Sequence, residues 1–365
     1  MSKLFSEYKM IITPLTPIHV GSGEQLSPGE YFVFDEDGGH VLYAIDMGYL
    51  GSKLAKGRDT LCRWIVDDPT GWVKQVGDNE RMRTMIRKYA RFKAFVTNTV
   101  ADEIRKRWGK PDSMLAVNTL QRPGAHAILP GSSIKGAVRT ALLWHAVPRP
   151  ITDPPSKQRE VSEWERKVLG SRSHGINDDI LRHLKIADCV AKDVKTKILD
   201  AEHVGMRDTA GDQAQLIDYR ECLPGILNSG ESYTLEGSLV VASGHPHYKR
   251  SRGRLDRDTI MQACREFYAE VLKADKAYWR GDKQVHGVYE KIETKLRQTP
   301  EAAPIRLGWG SGMDSISLNL AKPQGVHQRG RIDYKYRYNP KTRRVLDGCY
   351  PPGWAIFQLE EIKGV

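Results

Sequence analysis

Residues 130–145, Pro-Gly-Ser-Ser-Ile-Lys-Gly-Ala-Val-Arg-Thr-Ala-Leu-Leu-Trp-His, constrain the fold of this chain more than any other stretch. Pro130-Gly131 is a turn signal, and Ser132 or Ser133 is a good N-cap. Ile134, Ala137, Val138, Ala141 and Leu142 then recur at helical spacing. The pattern predicts a helix over 133–145 that buries one stripe. Ser132, Lys135 and Arg139 fall at i, i+3 and i+7 on the opposite face. First-turn N–H groups lack intrahelical partners and carry partial positive charge, so this strip suits a phosphate. Gly136 lies beside it, with no side chain to keep a backbone away. The competing reading is an ordinary capped helix with solvated basic residues.

Other periodic segments fall around this helix. Residues 8–15 read as a strand, and 31–34 with 41–45 as a hairpin around 35–40. Residues 184–190, 216–223 and 233–242 read as strands, the last two around the turn 224–230. Ile260, Cys264, Phe267, Val271 and Leu272 make 258–274 an amphipathic helix. The stripe Met82, Ile86, Tyr89, Phe92, Val96, Val100 and Ile104 predicts one helix over 79–108, with a basic face that includes Arg81 and Arg91. Residues 315–320 read as a short strand, and 350–362 end in another. The order β (8–15), α (133–145), β (184–190), β (233–242), α (258–274), β (315–320) is βαββαβ. We therefore expect an α+β chain with a ferredoxin-like or RRM-like core and large insertions. Residues 1–245 would hold the N-terminal part of that core, with 24–128 mostly insertion and 191–215 a projecting, thumb-like hairpin or a disordered loop. Residues 246–365 would form a C-terminal part, open to reading as a second domain of the same type.

Lys and Arg outnumber Asp and Glu by 56 to 45, a net charge of +11 that suits a polyanionic partner without requiring one. No apolar run is long enough to span a bilayer, and the start lacks a signal pattern, so the chain reads as cytoplasmic with no membrane partner. Cys62, Cys189, Cys222, Cys264 and Cys349 are scattered with no CxxC spacing, which predicts reduced thiols rather than a disulfide framework or metal site.

Two further Gly-rich loops, Gly21-Ser22-Gly23 and Gly308-Trp309-Gly310-Ser311-Gly312, could offer backbone N–H groups to phosphates. Neither these nor 131–136 match a nucleotide fingerprint: Lys135 precedes the second glycine, and Gly312 comes one residue early for GxGxxG. No cofactor is indicated. Trp309 is open to two readings, base stacking or core. His19 has no evident catalytic partner. Met206, with Arg207 beside it, could wedge between bases from 191–215.

Four of these segments together resemble the RAMP superfamily of CRISPR proteins. Residues 18–23 (Ile-His-Val-Gly-Ser-Gly) resemble its N-terminal loop, 129–142 its signature helix, 184–189 the strand ending in an Asp-plus-small-residue step, and 307–312 its C-terminal Gly-rich loop. Cys189 stands where Ser or Ala is commoner. The pairing of GSSIKGAVRTAL with LGWGSG is most similar to the fifth-subunit family of type III-A (Csm) effectors. That resemblance implies an RRM-like core and contact with the 3′ portion of a single-stranded guide RNA. It implies a place capping a filament of backbone subunits, and support for guide maturation, with host maturation nucleases as further partners. It implies no nuclease site; the alternative is a RAMP-type endoribonuclease acting on repeat or target RNA, with His19 as general base.

Overall fold

The computed structural model describes residues 5–53, 59, 63, 67–108, 110, 116–155, 158–170, 179–205, 215–243, 255–325, 335–340 and 342–362. The strands in chain order are β1 (Ser6–Pro14), β2 (Gly21–Leu26), β3 (Tyr31–Glu36), β4 (Gly39–Ile45), β5 (Ala90–Val96), β6 (Val117–Leu120), β7 (Ile128–Leu129), β8 (Leu184–Ile186), β9 (Cys189–Val190), β10 (Lys197–Gly205), β11 (Gln215–Cys222), β12 (Leu235–Val241), β13 (Ala303–Arg306), β14 (Thr342–Leu346) and β15 (Trp354–Glu361).

One sheet has the order β13-β15-β1-β12-β8 and is antiparallel throughout. Along β1 the apolar alternation works as the period of a strand dictates: Tyr8, Met10 and Ile12 are buried, while Glu7 faces solvent. The helices Gly131–Ala146 and Arg257–Tyr278 cover the buried face. Met10, Ile12, Leu239 and Phe357 share one core with Ile134, Val138 and Ala141 from the first helix and Ile260, Phe267 and Val271 from the second. Each such side chain contributes about 1.5–3 kcal/mol by leaving water. The two helices are also joined by polar contacts: His145 Nδ1 lies 2.9 Å from Glu266, and the Tyr268 hydroxyl donates to the Ala137 carbonyl.

The other large sheet runs β2-β6-β11-β10-β5-β4-β3. β5 pairs with β10 only at Lys197 and Ile198, and β14 takes the rest of that edge from Ala201 to Gly205. The helix Asn98–Arg107 packs on one face, where Val100 and Ile104 meet Leu42, Ala44 and Ala94. The helices Pro69–Asp78 and Glu80–Tyr89 pack on the other, where Trp72, Val76 and Ile86 meet Phe32, Phe34 and Tyr43.

The structure corrects several expectations. Residues 79–108 are two helices, Glu80–Tyr89 and Asn98–Arg107, separated by β5. Asn79 and Thr97 each cap a helix start. Phe92 and Val96, four apart, imitated a helical stripe, but Phe92, Ala94 and Val96 are the buried positions of a strand. Residues 315–320 are not a strand: a short helix, Met313–Ile316, and a 3-10 turn, Asn319–Ala321, lie there, and β15 holds the place beside β1. The strand expected at 184–190 breaks at Ala187-Asp188 into β8 and β9. Within 191–215 the described residues include β10, which sits in the middle of a sheet rather than projecting from the surface. The hairpin tip, with Met206 and Arg207, lies outside the described residues, as does Cys62. Cys189, Cys222 and Cys264 are free and buried, and Cys349 is free and half-buried. Cys189 fits because it faces Gly237, where an added Cβ would stand 2.9 Å from its sulfur.

Neither serine caps the signature helix. It begins at Gly131 with Pro130 as N-cap and no side-chain cap of its own. The Asp188 carboxylate reaches across from the β8–β9 break to accept from Gly131 N–H at 2.8 Å. Gly131 is packed so closely that a Cβ would sit 2.2 Å from the Ile186 carbonyl oxygen, whereas a Cβ on Gly136 would meet nothing within 4 Å. Gly131→Ala should therefore cost about 1–3 kcal/mol by overpacking. Gly136→Ala should gain about 0.5–1 kcal/mol through helix propensity. Urea denaturation midpoints of the two variants measured side by side check this; equal shifts would refute it.

Candidate nucleic-acid interface

His19 follows the two prolines that end β1. Its backbone carbonyl accepts from Trp309 N–H at 2.8 Å, so the loop after β1 carries the C-terminal Gly-rich loop. Gly308 has φ +80°, and a Cβ there would stand 2.3 Å from the His19 oxygen. Glycine is required on both counts. Gly310 and Gly312 also lie in the left-handed region, and the Ser311 hydroxyl closes the loop onto the Gly308 carbonyl at 2.7 Å. The two Gly-rich loops are thus one assembly.

The His19 ring is buried, at 2 % exposure. Its Nδ1 donates to the Glu221 carbonyl at 2.7 Å, and its Nε2 points at Gly21, where a Cβ would be 2.9 Å away. Burial pushes its pKa down to about 4, with Arg220 nearby acting in the same sense. The ring is neutral at pH 7 and shut away from solvent, a poor general base. The Glu221 carboxylate below it is fully buried; it accepts from Leu120 N–H at 3.0 Å and Thr196 Oγ1 at 2.7 Å, and pairs with Arg122. This acidic hub was invisible in the sequence, because its partners, Leu120 and Arg122 on one segment and Thr196 on another, lie 25 to 101 residues away.

Ser22 bonds the Thr119 hydroxyl at 3.0 Å, while Gly23, with φ +86°, stands in open space in the middle of the exposed run of β2. Trp309 is half-buried against Leu199, Ala201, Cys222 and Leu346. The Arg220 guanidinium lies over its ring at 3.8 Å, itself paired with Asp218 at 2.6 Å, and Arg344 lies 6.0 Å from the ring centre. A cavity of about 270 Å³ opens beside it, lined by Trp309, Gly310, Gly312, Thr342, Arg343 and Arg344. The Arg220 and Arg344 contributions were missed in the sequence, since each lies on a strand of ordinary composition.

The sequence model of the RAMP superfamily matches residues 11–313. The chain belongs to the RAMP superfamily. No curated protein sequence matches it significantly. Among solved structures it is similar to a chain of a cryo-EM Csm–crRNA–target RNA ternary complex from a type III-A CRISPR-Cas system, with 18% identity, TM-score 0.64, and 96% of this chain and 100% of that chain covered. It is also similar to Csm5 of T. onnurineus, seen in a crystal structure, with 16% identity, TM-score 0.61, and 95% and 99% covered. At this identity the likeness establishes a shared fold.

The superfamily's signature helix is tied into the same assembly, since the short helix after the Gly-rich loop, Met313–Ile316, packs against it. Ser132 is exposed and Ser133 half-exposed at its start. Lys135 donates to the Leu184 carbonyl at 2.8 Å, and burial, with Lys185 adding to it, lowers its pKa. Arg139 pairs with Glu165. Both cations are therefore held in place rather than free. Among the described residues no helix is long and apolar enough to cross a membrane, and no group of His, Cys, Asp and Glu could hold a metal ion.

Glu221→Ala should cost about 3–5 kcal/mol, because it leaves Arg122 buried without its counter-ion. A fall in urea midpoint far smaller than that would show the hub to be dispensable. His19 gives a pH signature. Its native pKa, about 4, lies below the ordinary 6.5 of a solvated imidazole, so the unfolded chain takes up a proton first as pH falls. Stability is complete above 6.5 and should decline by up to about 3 kcal/mol between pH 6.5 and 4. His19→Gln should flatten that part of the stability–pH curve.

Proposed function

We propose that the chain is an RNA-binding subunit of a type III-A CRISPR (Csm) effector. In this reading it holds the 3′ portion of the guide RNA, caps the backbone filament and supports guide maturation without cutting RNA itself. The observation that carries the reading is the docking of Gly308–Gly312 on the His19 carbonyl. It brings two Gly-rich loops, the cavity beside Trp309 and the Arg220–Arg344 pair into one place on a chain of net charge +11. Superfamily membership and the likeness to the two Csm chains support it. The connection β1, helix, β8, β12, helix, β15 supports a ferredoxin-like core, with β3, β4, β5 and β6 of the eight-stranded sheet coming from the 24–128 insertion. The burial of His19 leaves the endoribonuclease reading without a base at that position.

RNA contact is assigned to Gly21, Ser22 and Gly23 of the first loop, with the buried His19, expected to touch RNA, instead holding that loop from within, and to Ser132, Ser133, Lys135, Gly136 and Arg139 of the signature helix. It is further assigned to Gly308, Trp309, Gly310, Ser311 and Gly312 of the second loop, and to Met206 and Arg207 in the segment between β10 and β11. Partners are the guide RNA, the other Csm subunits and host maturation nucleases.

The test is binding of the purified chain to labelled single-stranded repeat RNA across a salt series, with and without divalent metal. Log K should fall with log salt at a slope of roughly −0.7 per phosphate neutralised. Arg344→Ala, which lines the cavity without joining the buried ion pairs beneath it, should reduce the slope by roughly one contact. A salt-independent affinity, or cleavage of the RNA, would overturn the reading.

A further inference from the structure

We propose that the open face of the five-stranded sheet is a docking surface for a neighbouring protein subunit that presents lysine or arginine beside an apolar side chain. The inference rests on the effector-subunit reading above.

The register puts Glu7, Lys9, Ile11 and Thr13 of β1 on the face opposite the helices. Val240, Ser238 and Glu236 of β12 lie to one side of them, Gln358 and Glu360 of β15 to the other. Lys185 of β8 extends the face past Val240. Glu7, Glu236, Glu360 and Lys185 are exposed, whereas Ile356, opposite Thr13, is buried, so the open part of the face is the end that holds Glu7, Lys9 and their neighbours.

Its composition argues against RNA. Sheets of this kind that bind RNA stack bases on aromatic side chains of the central strands. The open positions of β1 and β12 carry no aromatic residue, and acidic groups lead. Lys9 bonds Glu236 at 2.7 Å and is also drawn by Glu360, so one cation serves two carboxylates. Among the described residues Glu7 has no cationic partner. With three carboxylates to two lysines, Lys9 and Lys185, the face is locally acidic on a chain of net charge +11, which disfavours a phosphate backbone and favours a basic protein surface.

The same face has an apolar end. Phe5 is 61% exposed and Ile362 46%, two of five large apolar side chains left in solvent among the described residues. Ile362 lies one step past the Tyr8–Glu361 pair and Phe5 two before Glu7, so both flank Glu7 at one end of the sheet, with Ile11 and Val240 half-exposed further in. An apolar anchor rimmed by carboxylates that outnumber the cations beside them fits a protein interface.

The experiment uses the assembled effector, purified through a tag on a different subunit, with wild-type chain or with Glu236→Lys/Glu360→Lys. Circular dichroism and the RNA affinity of the isolated variant confirm its fold. We expect about tenfold less variant chain retained in the complex, the effect of opposing like charges. In the wild-type complex, carbodiimide should join Glu7, Glu236 or Glu360 to lysines of a neighbouring subunit, and RNase treatment should not change those links. Equal retention of the variant with no such cross-links overturns the surface while leaving the subunit reading intact. Protection of the face that RNase abolishes assigns it to RNA and also overturns the proposal. Failure of the wild-type chain to copurify overturns the subunit reading and this surface with it.

Discussion

The ion cluster of Asp275, Arg306, Arg343 and Asp314 is the interaction on which the Gly-rich-loop end of the molecule rests. Asp275 comes from the long helix Arg257–Tyr278, Arg306 from the end of β13, Arg343 from β14 and Asp314 from the short helix Met313–Ile316 after the Gly-rich loop. All four are at most 7 % exposed. Arg306 pairs with Asp275, and Arg343 reaches both Asp275, at 3.3 Å, and Asp314, at 3.0 Å. The cluster is neutral as a whole and nearly saturated with hydrogen bonds: Tyr289 donates to Asp275, Asn319 to Asp314, and Arg306 to the Pro352 carbonyl. Burying four charges is tolerable only in such a closed set, and removing one member would strand the others at about 3–5 kcal/mol. Because Arg306 also reaches the Gly310 carbonyl, the set fixes the left-handed loop from beneath, while the His19 carbonyl fixes it from the side.

That arrangement explains what was legible in the sequence and what was not. The signature helix, β1, β12 and the helix of 257–278 could be read because their apolar positions repeat at the period of the element they form, and each buries one face. The Gly-rich loops could be read because only glycine serves at Gly308, where positive φ and a 2.3 Å approach coincide. The buried carboxylates could not. Asp275 lies in an ordinary amphipathic helix, and Glu221 follows an arginine on a strand, so nothing local marks either as an acceptor for a guanidinium 30 to 100 residues away. The error at 79–108 has a related cause. Phe92, Val96, Val100 and Ile104 keep helical spacing across a strand-to-helix junction, and only the caps Asn79 and Thr97 distinguish two helices from one.

The start of the signature helix shows how a neighbouring element changes the chemistry that a segment has alone. A free helix N-terminus favours an anion. Here the break between β8 and β9 supplies one from within, the Asp188 carboxylate on Gly131 N–H. A phosphate approaching along the helix axis would meet that negative charge first. Its attraction must come from the side, where Lys135 and Arg139 flank the open space over Gly136. Each already holds an internal acceptor, Leu184 for the lysine and Glu165 for the arginine. Binding an anion there therefore exchanges contacts instead of filling vacant ones, and yields less affinity than the bare count of cations suggests. The stronger attraction lies at the Gly-rich loop, where Arg344 lines an open cavity with no carboxylate paired to it among the described residues. The helix start is then better suited to positioning a backbone than to holding it.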